Sequence, residues 1–159
     1  MSNDIQKADR IAHRFYTKLC LVVSNARATS ELRSQQKVDK WFNLETPDSE
    51  LFKDHLRMYR AVSTSPTPQP LELQVLLSVP DLTNNQVLVH LAHDSSRLRV
   101  DPTPRHIVLE NWLLNFTPSS PEAPGDSDAD SVAPSTIYKH GIPLFRSIYS
   151  LLRLLPSWK

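Results

Sequence analysis

Hydrophobic and polar positions along the chain divide it into helical and strand-like stretches. Ile5, Ala8, Ile11, Ala12, Phe15, Leu19, Val22 and Ala26 recur at intervals of three and four, which predicts a helix from about residue 4 to about residue 26. Ser2 or Asn3 can cap it, and Asp4 suits the positive end of its dipole. Thr46-Pro47 reads as an N-cap followed by a first-turn proline, opening a second helix through Leu51, Phe52, Leu56, Tyr59 and Val62 that "SPTPQP" (65–70) stops. Leu71, Leu73, Val75, Leu77 and Val79 alternate with polar residues, as do Val87, Val89 and Leu91. With the turn-rich "PDLTNN" between them, these two strands are expected to pair as a hairpin. A third strand, 106–116, is apolar on both faces and is expected to hold a central or doubly covered position.

The stretch from His140 onward raises a different question. Ile142, Leu144, Phe145, Ile148, Tyr149, Leu151, Leu152, Leu154 and Leu155 leave only Arg146, Ser147, Ser150 and Arg153 as polar interruptions. A helix apolar nearly all round is either buried or spans a membrane, and a span needs about 20 predominantly apolar residues. This run is shorter and carries two arginines, so a central core helix is expected, with Leu152 and Trp112 in the packing. The element order gives an α+β fold, three main helices on one face of a mostly antiparallel sheet.

Composition narrows the functional classes. A chain of 159 residues can form a single domain, and its 13 prolines cluster in 65–70, 101–104 and 117–134. The last of these, "TPSSPEAPGDSDADSVAP", is expected to be a disordered loop. Only Gly125 and Gly141 are present, too few for the close backbone approach of a phosphate-binding or dinucleotide-binding turn. A net charge of +1 with interspersed signs gives no basic stripe for nucleic acid. The single Cys20 lies among Leu19, Leu21 and Val22, which favours a buried, inert thiol and a reducing compartment. The first residues lack the apolar core of a signal peptide, so a cytoplasmic location is expected.

Candidate chemistry is sparse. His90 and His93 are three apart beside a strand, where such positions point to opposite faces, and no third ligand converges on them. "DSDADS" (126–131) opens like a calcium loop, but the glycine position is Ser131 and the closing glutamate position is Ile137. Ser127 and Ser131 there are candidate phosphorylation sites. His13, His55 and His106 pair with no nucleophile or carboxylate at recognisable spacing, so neither catalysis nor a cofactor or metal is expected. Arg97, Arg99 and Arg105 form a basic cluster, a candidate phosphate or anion contact beside the more ordinary reading of a solvated strand face.

Three segments carry a resemblance. "KWFNLETPDSELFKDHL" (40–56), "RHIVLENWLLNF" (105–116) and "IPLFRSIYSLLRLLPSWK" (142–159) resemble, in order, the N-terminal HORMA domain of the fungal autophagy-related protein 13 family. The resemblance implies a HORMA-like fold and a non-catalytic scaffold, the regulatory subunit of the autophagy-initiating kinase complex. Implied partners are autophagy-related protein 101 or another HORMA protein, vesicles bearing autophagy-related protein 9, and the lipid-kinase complex. The kinase itself is implied to bind only through a long tail that residues 1–159 lack, and the implied location is the preautophagosomal structure. In the family further strands follow the central helix, so residues 1–159 are expected to be a single but incomplete HORMA domain, truncated after that helix. Some fungal members resemble phosphate sensors through an arginine pair, one just before the tryptophan of the third strand; Asn111 stands at that position here, which puts the role in doubt. Because HORMA domains commonly dimerise through the central helix, Arg146, Tyr149, Ser150 and Arg153 are the candidate partner contacts. A HORMA-type adaptor for peptides or partners outside autophagy is the alternative.

Overall fold

The computed structural model describes residues 3–29, 37–65, 67–117 and 133–155. It contains helix α1 (Asn3–Arg27), strands β1 (Val38–Asp39) and β2 (Thr46–Pro47), three 3-10 helices (Trp41–Asn43, Glu50–Phe52, His55–Thr64), strands β3 (Leu71–Ser78), β4 (Val89–Leu91), β5 (Arg97–Arg99) and β6 (His106–Leu114), and helix α2 (Pro134–Leu154). The mixture of helices and antiparallel strand pairs is α+β, as expected. The chain divides into two compact units, residues 1–72 with 113–159, and residues 73–112. The acidic stretch 126–131, with Ser127 and Ser131, lies outside the described residues, as does all but the edges of the expected loop 117–134.

The first unit is built around α1. Its expected bounds hold within a residue at each end, but its burial is not one-sided throughout. Lys18, Leu19, Cys20, Leu21, Val22 and Val23 are all buried in sequence, so the C-terminal half of α1 is enclosed on every side, while Ile5 near its start is exposed. The enclosed helix expected at the end of the chain is therefore α1 rather than α2. In α2 only Gly141, Phe145 and Leu152 are buried, and Leu144, Leu151 and Leu154 are exposed, as is Leu155 just after it. α2 also begins earlier than the apolar run, with Pro134 in its first turn, where a missing N–H costs nothing. Pro143 sits inside the helix and removes the bond that the carbonyl of Lys139 would receive.

The second predicted helix is corrected. Thr46-Pro47 is not a cap but strand β2, whose Thr46 pairs with Asp39 and whose Pro47 pairs with Val38. The cap lies three residues on, where the Ser49 hydroxyl accepts the Leu51 N–H at 3.3 Å. The segment His55–Thr64 is 3-10 rather than α-helical, and the apolar spacing gives the reason. Leu56 and Tyr59 are three apart, so three residues per turn stack them on one buried face, and Val62 is buried beyond a break at Ala61, whose φ and ψ of −141° and 61° are not helical. Asp9 of α1 fastens the end of this segment by accepting both the N–H (3.0 Å) and the hydroxyl (2.7 Å) of Ser63.

Residues 37–48 form a short loop clamped onto α1 by a buried lysine. Lys18 Nζ lies 2.5 Å from Asp39 Oδ1 and donates to the Leu44 carbonyl (2.7 Å) and the Thr46 hydroxyl (3.1 Å). The same loop carries Phe42 and Asn43 in the left-handed region, with φ of 59° and 50°. Such a conformation costs a phenylalanine about 1–2 kcal/mol, and complete burial of the ring offsets it. Phe42 packs against Phe15 (centroids 4.8 Å apart), Phe145 (4.8 Å) and Tyr138 (5.1 Å), drawing α1, the loop and α2 into one aromatic cluster. Gly141 makes this possible, because a Cβ there would fall 2.5 Å from the Phe42 ring and 2.9 Å from the Phe15 ring.

Burial of Cys20 pushes its thiol up to about 11. A thiol that ionises less readily when folded favours the folded state progressively less as pH rises from the unfolded value toward 11. Between pH 9 and 11 the stability is expected to fall by about 2–3 kcal/mol, and Cys20→Ala should flatten the decline. Urea titrations at pH 8, 9, 10 and 11, with thiol labelling as a second readout, check this; a parallel decline in the mutant would remove Cys20 as its source.

The hairpin expectation in the second unit is also corrected. β3 pairs with β6, not with the next strand in the chain, and the Val79 N–H donates to the Arg105 carbonyl at 2.9 Å where β3 ends and β6 begins. β4 instead pairs antiparallel with β5, in the register Val89↔Arg99, His90↔Leu98 and Leu91↔Arg97. A tight turn closes this hairpin: Ala92 and Ser95–Ser96 exchange backbone bonds of 2.9 Å, and Asp94 accepts the Ser96 N–H at 3.0 Å. Closing so short a loop costs less chain entropy than closing residues 80–88. β6 is not centrally covered either. Among the described residues β3 is its one neighbouring strand, and Val108 and Leu113 are exposed.

Candidate interaction surface

α2 presents the expected arginine stripe on a firmly held backbone. Phe145 and Leu152 anchor the helix in the aromatic and aliphatic core, and Arg27 at the end of α1 donates to the Leu152 carbonyl at 2.7 Å, satisfying one of the orphan acceptors of the last turn. Arg146, Ser150 and Arg153 are all exposed, and Tyr149 is half-buried among them. The Arg153 guanidinium lies over the Tyr149 ring, 5.1 Å from its centroid, an i,i+4 contact that pre-orders the charge. Arg146 makes a longer bond, 3.4 Å, to the Asn43 carbonyl of the clamped loop. Leu154, 80% exposed, adjoins this stripe. The fold thus groups the four residues on one helix, three of them outward, with a cation already stacked on an aromatic ring.

The second candidate cluster is looser. Arg97 and Arg99 stand two apart on β5 and so share a face, Arg99 is paired with Asp101 at 3.3 Å, and Arg105 precedes β6. All three are exposed. The neighbouring Trp112 is half-buried, with its indole N–H donating to Glu110 at 2.9 Å.

The histidines are dispersed. His90 lies in β4 and His93 in the turn after it, His55 opens a 3-10 helix, and His106 opens β6. His13 lines a pocket of about 200 Å³, which it shares with Arg14, Thr17, Asp48, Lys53 and Arg60. Burial lowers its pKa first, and the charges of Arg14 and Arg60 lower it further. Sequence reasoning missed this pocket and the Lys18–Asp39 pair. Lys18 gave no signal, since a lysine in an amphipathic helix ordinarily reads as solvated; the pocket gave none either, since α1 supplies only part of its lining, with Thr17 four residues from His13 and three from Arg14, and the rest comes from residues 48–60. Among the described residues no helix is long and apolar enough to cross a membrane.

The arrangement is that of an α+β protein whose candidate site is an outward helix face, a form suited to holding another macromolecule. The chain belongs to the autophagy-related protein 13 family, whose family profile matches residues 12–159. It is 32% identical to autophagy-related protein 13 of Yarrowia lipolytica over 96% of its length, 29% identical to that of Penicillium rubens over 98%, and 29% identical to autophagy protein 13 of Schizosaccharomyces pombe over 96%. It spans 23%, 18% and 20% of those relatives, about a fifth of their length. No solved structure matches it. The names of the relatives connect the family with autophagy.

Proposed function

We propose that this chain acts as a non-catalytic protein-interaction module of the autophagy-initiating kinase complex, part of a HORMA-type domain that recruits other autophagy factors at the preautophagosomal structure. Its α2 face holds a second HORMA protein, autophagy-related protein 101 where that exists. Delivery of vesicles bearing autophagy-related protein 9 and of the lipid-kinase complex follows from that assembly, and the kinase binds through segments outside residues 1–159. The observation that carries the reading is the Arg153–Tyr149 stack, exposed beside Leu154 on a helix fixed by Phe145 and Leu152. Arginine over an aromatic ring beside apolar surface has the composition of an interface hot spot.

Arg146→Glu and Arg153→Glu, each made in the protein's full natural chain, are expected to weaken binding to purified autophagy-related protein 101 by about 2 kcal/mol, close to thirtyfold. Calorimetric titration measures the loss, and unchanged melting shows that the fold survives. Wild-type affinity in both variants would return the stripe to an ordinary solvated face.

A further inference from the structure

The His13 pocket has a charge arrangement that the protein itself does not fill. Arg14 enters from α1, and Lys53 and Arg60 enter from the 3-10 region, so three cations face one wall carboxylate, Asp48. Asp48 is already engaged, accepting the Ser49 N–H at 2.9 Å. Arg14 lies over Trp41, 4.7 Å from the ring centroid, and 3.8 Å from Asp39, whose other oxygen belongs to Lys18. Lys53 is paired with Glu50 at the surface, a pair of the kind that exchanges readily with other anions. Arg60 has no carboxylate within ion-pair distance among the described residues, and its charge is felt instead by His13.

Leu21, Phe52 and Leu56 supply apolar wall beside these charges. A concave pocket lined by several cations draws anions. The charge of the lining discriminates between anions. Two guanidinium groups and an ammonium carry more positive charge than a singly charged carboxylate balances, and they suit the three oxygens and nearly double charge of a phosphoryl group. The exposed Arg97, Arg99 and Arg105 are not among the residues that line this pocket.

We propose that this pocket binds a phosphoryl group carried by a serine or threonine of a partner segment, with Arg60 and Lys53 making the principal contacts and Arg14 and His13 completing the cradle from α1. The apolar wall receives the stem of the phosphorylated side chain.

Histidine-detected NMR and calorimetry on the chain test this with three probes: inorganic phosphate, a phosphoserine peptide, and the same peptide unphosphorylated. Inorganic phosphate is expected to bind saturably and to raise the pKa of His13, because an anion beside it offsets the Arg14 and Arg60 charges that, after burial, hold it low. The phosphopeptide should bind at least tenfold more tightly than the free ion, and the unphosphorylated peptide should not compete. Arg60→Gln is expected to weaken phosphate binding tenfold or more, as loss of one charge-assisted bond requires, and Lys53→Gln to weaken it several-fold; both side chains are exposed, so folding persists. Arg153→Gln on α2 should leave phosphate binding unchanged, which separates this result from the fate of the α2 interface. A linear, unsaturable phosphate response, a His13 that does not move, or equal binding by Arg60→Gln would overturn the site. Saturable phosphate binding with no gain from the phosphopeptide would overturn its peptide source.

Discussion

Replacing Lys18 by methionine is expected to destabilise the fold by about 3–5 kcal/mol, the cost of breaking a buried ion pair from one side. Methionine matches the length of the aliphatic stem, so packing along α1 changes little and the loss is electrostatic. Asp39 would keep the Trp41 N–H at 3.2 Å and a distant Arg14 at 3.8 Å but lose its 2.5 Å partner. The Leu44 carbonyl and the Thr46 hydroxyl would lose their shared donor as well. Adding Asp39→Asn removes the stranded charge while retaining an oxygen for Trp41, so the double mutant should recover part of the loss. Urea denaturation of the four proteins measures both steps, and a single-mutant cost below about 1 kcal/mol would show that water reaches the pair. The alkaline limb adds a signature. Burial, opposed by Asp39, lowers the pKa of Lys18, so between that lowered value and the ordinary one the unfolded state binds more protons and Lys18 makes stability rise with pH. Cys20 acts in the opposite sense, and the decline toward pH 11 should therefore be steeper in Lys18→Met.

What the sequence made legible was periodic. α1 followed from its three-and-four spacing, β3 from alternation, and the outward stripe of α2 from Arg146, Ser150 and Arg153 at four and three. The failures have one physical origin, because periodicity records which residues share a face but not what lies against that face. Leu144, Leu151 and Leu154 were apolar enough to imply enclosure, yet they remain exposed, while the enclosed helix is the one that contains a lysine. Strand pairing failed for a related reason: β3 has 8 residues and β6 has 9, and they pair across the intervening residues 79–105, whereas the local turn at Asp94 captured β4 for β5. The His13 pocket was illegible because its cations come from α1 and from residues 53–60, and only tertiary packing brings them together.

The contact between Gly141 and Phe42 gives the other large effect, one that single mutants alone would misreport. Phe42→Ala should cost about 3–5 kcal/mol, since a fully buried ring leaves a cavity among Phe15, Tyr138 and Phe145. Gly141→Ala fills no space that exists. Its Cβ would meet two Phe42 ring carbons at 2.5 and 2.6 Å, so the helix or the ring must move, and overpacking of this kind costs about 1–3 kcal/mol. That cost outweighs the gain of about 1 kcal/mol that alanine brings over glycine inside a helix. In a Phe42→Ala background the balance reverses. The two closest contacts vanish, the 2.9 Å approach to Phe15 can relax into the vacated volume, and the helix-propensity gain remains. Gly141→Ala should then be neutral or stabilising by up to about 1 kcal/mol, and the double-mutant cycle should show a coupling of about 1–3 kcal/mol. Equal costs of Gly141→Ala in the two backgrounds would mean that the clash lies elsewhere and that the aromatic ring does not dictate the glycine.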